Sequence, residues 1–467
     1  MVILKNRGVF HMKKTLAIFL TMLLLLILPI NTYASILDDV KSIVRSEYVG
    51  EIKGDVNNAT TVDQVIAMLD PYSDYFTKEE YEAFIQSIEN ESVGIGIIIQ
   101  KHEKGILIVN VIENGSAVKT GIEAGDIITK INGQSTVTMS MEEAQSLIMG
   151  EENTIVELEL LKTNGKTKKQ QIQRRSFSLP IVDSKLLYGN VGYIAVSTFA
   201  ENAADQVAEA YKGLLNQGAT SFIVDLQNNG GGYVLTAEKL IGMFPGATYA
   251  YKVKLSTKSG LVRAVQQSVT FPTKTRLLVN GFSASASEMT AAALLDQQSA
   301  ILYGEPTYGK GTMQSFFELS DGSILKLTTG EFFGPKGTIV KEVGVNPNIV
   351  TTSNPLYQAH YDSLVDNLGT RYKELKTLEN VPTTKVFSVN FNKAIHEKVD
   401  PGAVKLVQLG GGKVDITLKA VGKQLFVTPT APLDKGGEYI LIIEPKIKDA
   451  KGKAMKTGNH LKITVQK

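Results

Sequence analysis

At 467 residues the chain is long enough for several domains, each able to bury a core. Lysine and arginine number 49 against 47 aspartates and glutamates, a balance without the general basic footprint of a nucleic-acid binder. Cysteine is absent, which removes a thiol nucleophile, a disulfide framework and a thiolate metal centre, and no HExxH stretch points to a zinc hydrolase.

In chain order, Met12-Lys13-Lys14 precedes an apolar run, Leu16–Ile30, followed by Thr32-Tyr33-Ala34. A charged start, an apolar stretch and small residues at a cleavage position describe a secretory leader over residues 1–34. The run is shorter than the about 20 residues a membrane-spanning helix needs, and a retained anchor is the alternative. Both put the working compartment outside the cytoplasm, where a protein can manage without disulfides. Residues 35–91 read as helical, interrupted by Leu69-Asp70-Pro71-Tyr72-Ser73-Asp74-Tyr75.

Residues 92–170 change character. Strand patterns (GIGIIIQ, GILIVNVI, DIITKINGQ, IVELELL) surround one helix pattern, MEEAQSLIM. Lys162, Lys166, Lys168, Lys169, Arg174 and Arg175 cluster near the end of this stretch and read as a solvated strand edge, with contact to anionic lipid or wall polymer as the weaker alternative. The next 171–354 hold a buried strand, SFIVDL, running into Gln227-Asn228-Asn229 and Gly230–Gly232, with a helix pattern from Val234. Glycines after a strand permit positive φ and close approach of backbone to a ligand, and they equally suit a tight strand-to-helix turn.

Further on, the strand Leu277–Val279 enters a turn of small residues and then an alanine-rich helix. That layout sets Ser285 at a helix N-terminus, whose unpaired N–H groups favour the negative charge of an acyl-transfer oxyanion. Ser285-x-x-Glu288 is also a capping box, so the serine has a purely structural reading. Lys310 follows in a glycine-flanked loop, with Gln314 four residues later. None of the five histidines lies between residues 103 and 359, which leaves lysine as the best base in the core. A lysine base costs something. Lowering its pKa from about 10.4 to roughly 7 takes on the order of 4–5 kcal/mol of differential solvation, so burial beside uncharged polar groups is expected. Gln314 suits an orienting role because its amide oxygen accepts a hydrogen bond without the electrostatic pull of a carboxylate. In a plain strand positions 310 and 314 stand ~13 Å apart, so the backbone must bend or the side chains must reach. Gly304-xxxx-Gly309-Lys310 nearly matches a Walker A loop, but position 311 is Gly and a hairpin pattern around Asp321-Gly322 follows.

Together, SASASE at 283–288, GEPTYGKG with Gln314, the LSDGSILKLTTGEFFGPKG hairpin and Gly344-Val345-Asn346-Pro347 resemble the S41 carboxyl-terminal processing peptidases, over roughly residues 36–354. The resemblance implies a multidomain α+β protein with an α/β protease core of crotonase-like type. It also implies Ser285 as nucleophile, Lys310 as general base, Gln314 as its orienting partner, and no cofactor or metal. Gln227–Gly232 resembles the family's DLRxNPGG loop, with Gln227 where Arg is usual and Gly230 where Pro is usual. By that analogy the oxyanion donors are Ala286 with Gly230 or Gly231. Residues 69–75 look like the family's LDPHSxY segment. Gly121–Asp126 and Ile131-Asn132-Gly133 resemble PDZ hallmarks, and Val93, Gly94, Ile95, Gly96 and Ile97 look like the loop that receives a peptide's terminal carboxylate. Substrates recognised by a free C-terminus, and gating by the PDZ domain, follow from the resemblance. So does a homodimer through the flanking helices.

Residues 355–382 read as a helical linker. From 383 to 467 short strands and turns suggest a β-sandwich resembling bacterial Ig-like domains of the SbsA type, a spacer or tether to membrane, wall or partner. The reading is a secreted, PDZ-gated Ser-Lys endopeptidase. Its competitor is a non-catalytic surface scaffold built from the same PDZ and Ig-like parts.

Overall fold

The computed structural model describes residues 35–112, 114–351 and 353–467. The leader expected over 1–34 lies outside them, and no described helix is long and apolar enough to cross a membrane.

The N-terminal helices α1 (Ile36–Glu47), α2 (Val62–Ile66) and α3 (Lys78–Ile88) each begin at a Ser or Thr whose hydroxyl accepts a backbone N–H. Val40, Val44, Val65 and Leu69 pack on Leu319, Leu325 and Leu327 of the hairpin formed by Thr312–Glu318 and Ile324–Phe333. Apolar faces expected to pair two copies are therefore spent, at least in part, inside one chain.

The insertion that follows is a sheet in the order Ile97–His102, Gly105–Val111, Ile127–Ile131, Ile155–Leu161, Thr167–Gln173, covered by α4 (Met141–Ile148). Val156, Leu158 and Leu160 alternate inward, as a half-buried strand requires. The chain enters and leaves through one antiparallel ribbon, Glu91–Gly94 paired with Arg175–Ser178.

The body is a six-stranded sheet in the order Val182–Leu187, Val191–Val196, Ser221–Asp225, Arg276–Val279, Ile301–Gly304, Ile349–Val350, parallel from its second strand on. Its strands are apolar on both faces because both are covered. Helices α5 (Ala203–Asn216), α6 (Val234–Ile241) and α7 (Ala286–Gln297) pack on one side with Phe222, Val224, Leu277 and Val279. Helix α8 (Pro355–Leu368) lies on the other, with Leu356 and Ala359 against Ile223, Leu278 and Tyr303. Residues Ala286–Leu294 of α7 are all buried; small alanines let a helix sit inside the core with no solvent face.

The segment expected as a helical linker, 355–382, is helical only through Arg371. Tyr372–Glu374 and Leu378–Val381 both run parallel to the last strand, Gly458–Val465, and belong to the C-terminal sandwich. That sandwich meets the body through a buried cluster in which Tyr361 and Leu364 of α8 touch the Val407, Leu409, Ile440 and Ile442 side. At the joint His360 bridges the domains: its Nε2 pairs with Tyr188 C=O at 2.8 Å and its Nδ1 accepts from Gly410 N–H at 2.9 Å. Burial pulls its pKa down to about 4, so this histidine is a neutral joint, remote from any base role.

Candidate active site

Ser285 ends the turn between Arg276–Val279 and α7 with φ 56° and ψ −111°, a conformation L-residues rarely adopt. Strain of this kind costs of order 1–3 kcal/mol and needs surroundings that over-determine it. Here they do. Ser283 Oγ donates to Leu226 C=O at 2.8 Å and Ser287 Oγ to Asn229 C=O at 2.8 Å, bolting both flanks of Ser285 to the glycine loop. The capping-box pair has only its reciprocal half as an ordinary hydrogen bond. Ser285 N–H donates to Glu288 Oε2 at 2.9 Å, while the Ser285 hydroxyl faces Glu288 N–H in capping-box arrangement without a hydrogen bond of ordinary geometry, and lines an open cleft.

Glu288 is the residue whose reach the sequence understated. It is fully buried, and besides Ser285 it accepts Thr307 Oγ1 at 2.8 Å, Gly309 N–H at 2.5 Å and Lys310 N–H at 3.0 Å. One carboxyl group therefore fixes the turn of Ser285 and the loop of Lys310 to each other. Gly311 (φ 60°) completes the seat, because a Cβ there would fall 2.3 Å from Lys341 N. A strand, Thr312–Glu318, follows instead of a helix, which removes the Walker A reading.

Lys310 and Gln314 line the same cleft of about 600 Å³ as Ser285. Among the described residues no hydrogen bond joins the three side chains; they share a cavity without being locked together. Gln314 Nε2 donates to Thr312 Oγ1 (3.1 Å) and Thr328 Oγ1 (3.0 Å), which leaves its amide oxygen as the unassigned acceptor. The bend demanded by the 310–314 spacing comes from Gly311 and from a register shift in the hairpin between Met313 and Gln314.

Burial pulls the Lys310 pKa down to about 8, helped by Lys326, while Asp70 and Glu288 pull the other way. Lys326 was not singled out in the sequence. It lies two residues from Thr328 on the same strand face, lines the cleft, and sets its Nζ 4.9 Å from the Phe84 ring centroid and 5.5 Å from that of Phe76. Tyr72 is the other unforeseen neighbour, standing where the LDPHSxY pattern has His. Asp70 Oδ1 accepts the N–H of both Tyr72 and Ser73 in a tight turn, and the turned Tyr72 ring lies 5.0 Å from Lys310 Nζ.

Of the two departures in the glycine loop, Gln227 is accommodated by hydrogen bonds. Gln227 donates to the buried Asp225 through its amide (3.0 Å) and its backbone N–H (2.8 Å), and Tyr193 OH adds a third at 2.7 Å. Asn228 and Asn280 exchange two more at 3.0 Å. The oxyanion candidates divide. Neither Ala286 N–H nor Gly230 N–H has a partner among the described residues. Gly231 N–H is already given to Asn229 Oδ1 at 2.9 Å, which removes it as a free donor here, although its Cα abuts Ser285 so closely that a Cβ would sit 2.8 Å from Ser285 Cβ.

In the insertion, Val93 and Gly94 fall within the ribbon, paired with Ser176 and Arg175, so they are ladder residues. Ile97 opens the first strand of the sheet. Between them Ile95 and Gly96 give their carbonyls to Ala117 and Ile112, and their N–H groups donate to nothing among the described residues. A carboxylate cradle in this loop thus narrows to two residues.

Comparison with known proteins adds family context. Residues 190–351 match the model of peptidase family S41, residues 107–162 that of the PDZ domain and residues 376–464 that of a bacterial Ig-like domain. A CtpA-like serine protease of Staphylococcus aureus is 31% identical over 391 residues, covering 81% of this chain and 72% of the relative. One from Staphylococcus haemolyticus is 30% identical over 356 residues, covering 75% and 67%. Among solved structures, a photosystem II D1 C-terminal processing protease aligns with a TM-score of 0.44 at 24% identity, over 70% of this chain and 95% of that one.

Proposed function

This chain belongs to peptidase family S41 and is a serine peptidase, and from that membership we propose that Ser285 is its nucleophile and Lys310 its general base. Ser285 Oγ attacks the scissile carbonyl as its proton passes to neutral Lys310 Nζ. The tetrahedral oxyanion takes hydrogen bonds from Ala286 N–H and Gly230 N–H, with Gly231 N–H joining if Asn229 releases it. Collapse expels the amine, which takes the proton from the Lys310 ammonium, and a water deprotonated by Lys310 then cleaves the acyl-enzyme. Gln314 holds the lysine amine through its free amide oxygen. The single observation that carries this reading is a buried lysine, its pKa pulled down to about 8, sharing one cleft with a strained serine whose hydroxyl opens onto it.

Val234, Met289, Met313 and Phe332 line that cleft, which suits an apolar side chain beside the scissile bond. Protein substrates are taken by a free C-terminus on the N–H groups of Ile95 and Gly96, and PDZ movement about the ribbon gates cleavage. Localisation outside the cytoplasm is supported by Lys13-Lys14 with Leu16–Ile30 and the small residues that follow.

The test compares residues 35–467 with their Ser285→Ala and Lys310→Ala variants on an unstructured protein with an apolar C-terminus. Cleavage by wild type alone, with both variants folded, is expected. Equal cleavage by all three chains would overturn the assignment.

A further inference from the structure

The near-zero charge of the whole chain conceals a separation. Residues 376–467 hold 16 lysines and 8 acidic residues, whereas residues 35–375 hold 29 lysines and arginines against 39 acidic residues. The sandwich is strongly positive and the rest of the described chain is negative. Charge of one sign gathered in one domain points to a partner of the other sign.

The positive charge is not spread evenly in its interactions. Lys405, Lys446 and Lys462 are paired with Glu444 (2.6 Å), Asp400 (3.3 Å) and Glu438 (2.8 Å). Lys393, Lys448, Lys453 and Lys456 are all exposed, line one groove of about 500 Å³, and have no ion-pair partner among the described residues. The acid that shares the groove, Asp449, stays ionised: its Oδ1 accepts the N–H groups of Lys453 (2.9 Å) and Lys451 (3.0 Å), which together with the charges of Lys393 and Lys453 hold its carboxyl below the usual range, so four lysines face one carboxylate. The walls are built. The isolated bridges Lys448–Ala454 and Ile395–Asp449 zip the lysine turn to the segment beside it, over the buried Ile395 and Ile447. Asn390 and Asn392 add amide groups able to bond hydroxyls.

We propose that this groove binds a linear, phosphate-rich polyanion such as a phosphodiester-linked polyol chain. Four lysines against one carboxylate leave an excess of positive charge that raises the free energy of the unliganded face, and a chain of phosphates relieves that cost by replacing a diffuse counterion atmosphere. A lipid surface fits less well, because the apolar residues form the floor of the groove and no large hydrophobic protrudes from its rim. Nucleic acid also fits poorly, since the aromatic ring that lines the groove, Phe391, is half-buried against the sandwich core instead of standing out to stack bases. The acidic body would be held facing away from the polymer.

Binding requires nothing of Ser285, so the full chain carrying Ser285→Ala serves as reagent. The probes are long-chain inorganic polyphosphate and poly(glycerol phosphate), titrated at several salt concentrations, with vesicles of one-third anionic lipid alongside. The Lys393→Gln, Lys448→Gln, Lys453→Gln, Lys456→Gln variant is compared with Lys413→Gln, Lys419→Gln, Lys423→Gln, Lys435→Gln, which removes equal charge elsewhere on the same domain. Expected is a loss of more than roughly tenfold in affinity, and a shallower salt dependence, for the groove variant alone. In chains that keep Ser285, the groove substitutions should leave peptidase activity unchanged. Equal losses in both variants, no polymer binding by the parent chain near 0.15 M salt, or binding to vesicles but to neither polymer would each overturn the proposal.

Discussion

The seat of Ser285 and Lys310 and the neck of the PDZ insertion are joined to the same body in opposite ways. At the seat, two loops far apart in sequence meet on one buried carboxyl group with four donors. At the neck, two short strands pair with each other and little else ties the insertion down. The first arrangement tolerates no slack, because strain at Ser285 and burial of Lys310 both depend on it. The second allows rotation without breaking a core, and that is what a gate needs. The Ig-like joint, with a buried apolar cluster across it, resembles the seat more than the neck.

Breaking the seat should have the largest consequence. Glu288→Ala strands buried N–H groups of Ser285, Gly309 and Lys310, each at about 1–3 kcal/mol, so melting should show at least 3 kcal/mol lost and kcat/KM should fall more than about 100-fold. A variant of unchanged stability and rate would show the two loops to be independent. The Ig-like joint should yield next, to acid. His360 is neutral in the fold, with a pKa of about 4 against 6.5 when free. Stability is therefore whole above pH 6.5 and declines as pH falls toward 4, by on the order of 3 kcal/mol. The charged groups that oppose its protonation are Arg276 and Lys185. Denaturant melts of wild type and His360→Gln should converge in relative stability as pH drops; parallel curves would acquit the histidine.

A smaller effect sharpens the electrostatics of the seat. Lys326→Met removes a neighbouring cation, so the Lys310 pKa rises and the acidic limb of the kcat/KM profile moves to higher pH. A shift of about half to one unit is expected, or roughly three- to tenfold at pH 7, with Lys326→Arg restoring the wild-type limb. Lower activity with an unmoved limb would mean that Lys326 only props Phe76 and Phe84. Least of all should the neck matter to stability. Replacing residues 91–178 by a short turn is expected to leave the melting temperature of the remainder within about 5 °C of the full chain.

Much of the architecture was legible because its signals are local. The glycine run after Ser221–Asp225, the small residues around Ser285 and the Asp321-Gly322 turn each declare a backbone shape within a few positions. What escaped depends on contacts across distance. Glu288 reads as a cap because its first partner is three residues away; its partners 19–22 residues on have no local signature. Lys326 and Tyr72 become neighbours of Lys310 only after Asp74–Phe76 adds to the hairpin as an edge strand. Likewise 372–381 looked like linker because its partner, Gly458–Val465, is the last strand of the chain. Gly231 was a sound donor by position, and only the side chain of Asn229 shows its N–H to be taken.

Asn90 and Leu179 are joined by a backbone hydrogen bond of 2.9 Å. To the catalytic body, the roughly ninety residues between them are one surface loop, and its ends are held together whatever lies inside. Since closure entropy grows only logarithmically with loop length, material added or removed beyond that bond costs the body little. The PDZ insertion of this enzyme is thus a replaceable cartridge, and peptidases of one catalytic design can acquire new recognition by exchanging what is threaded between those two positions.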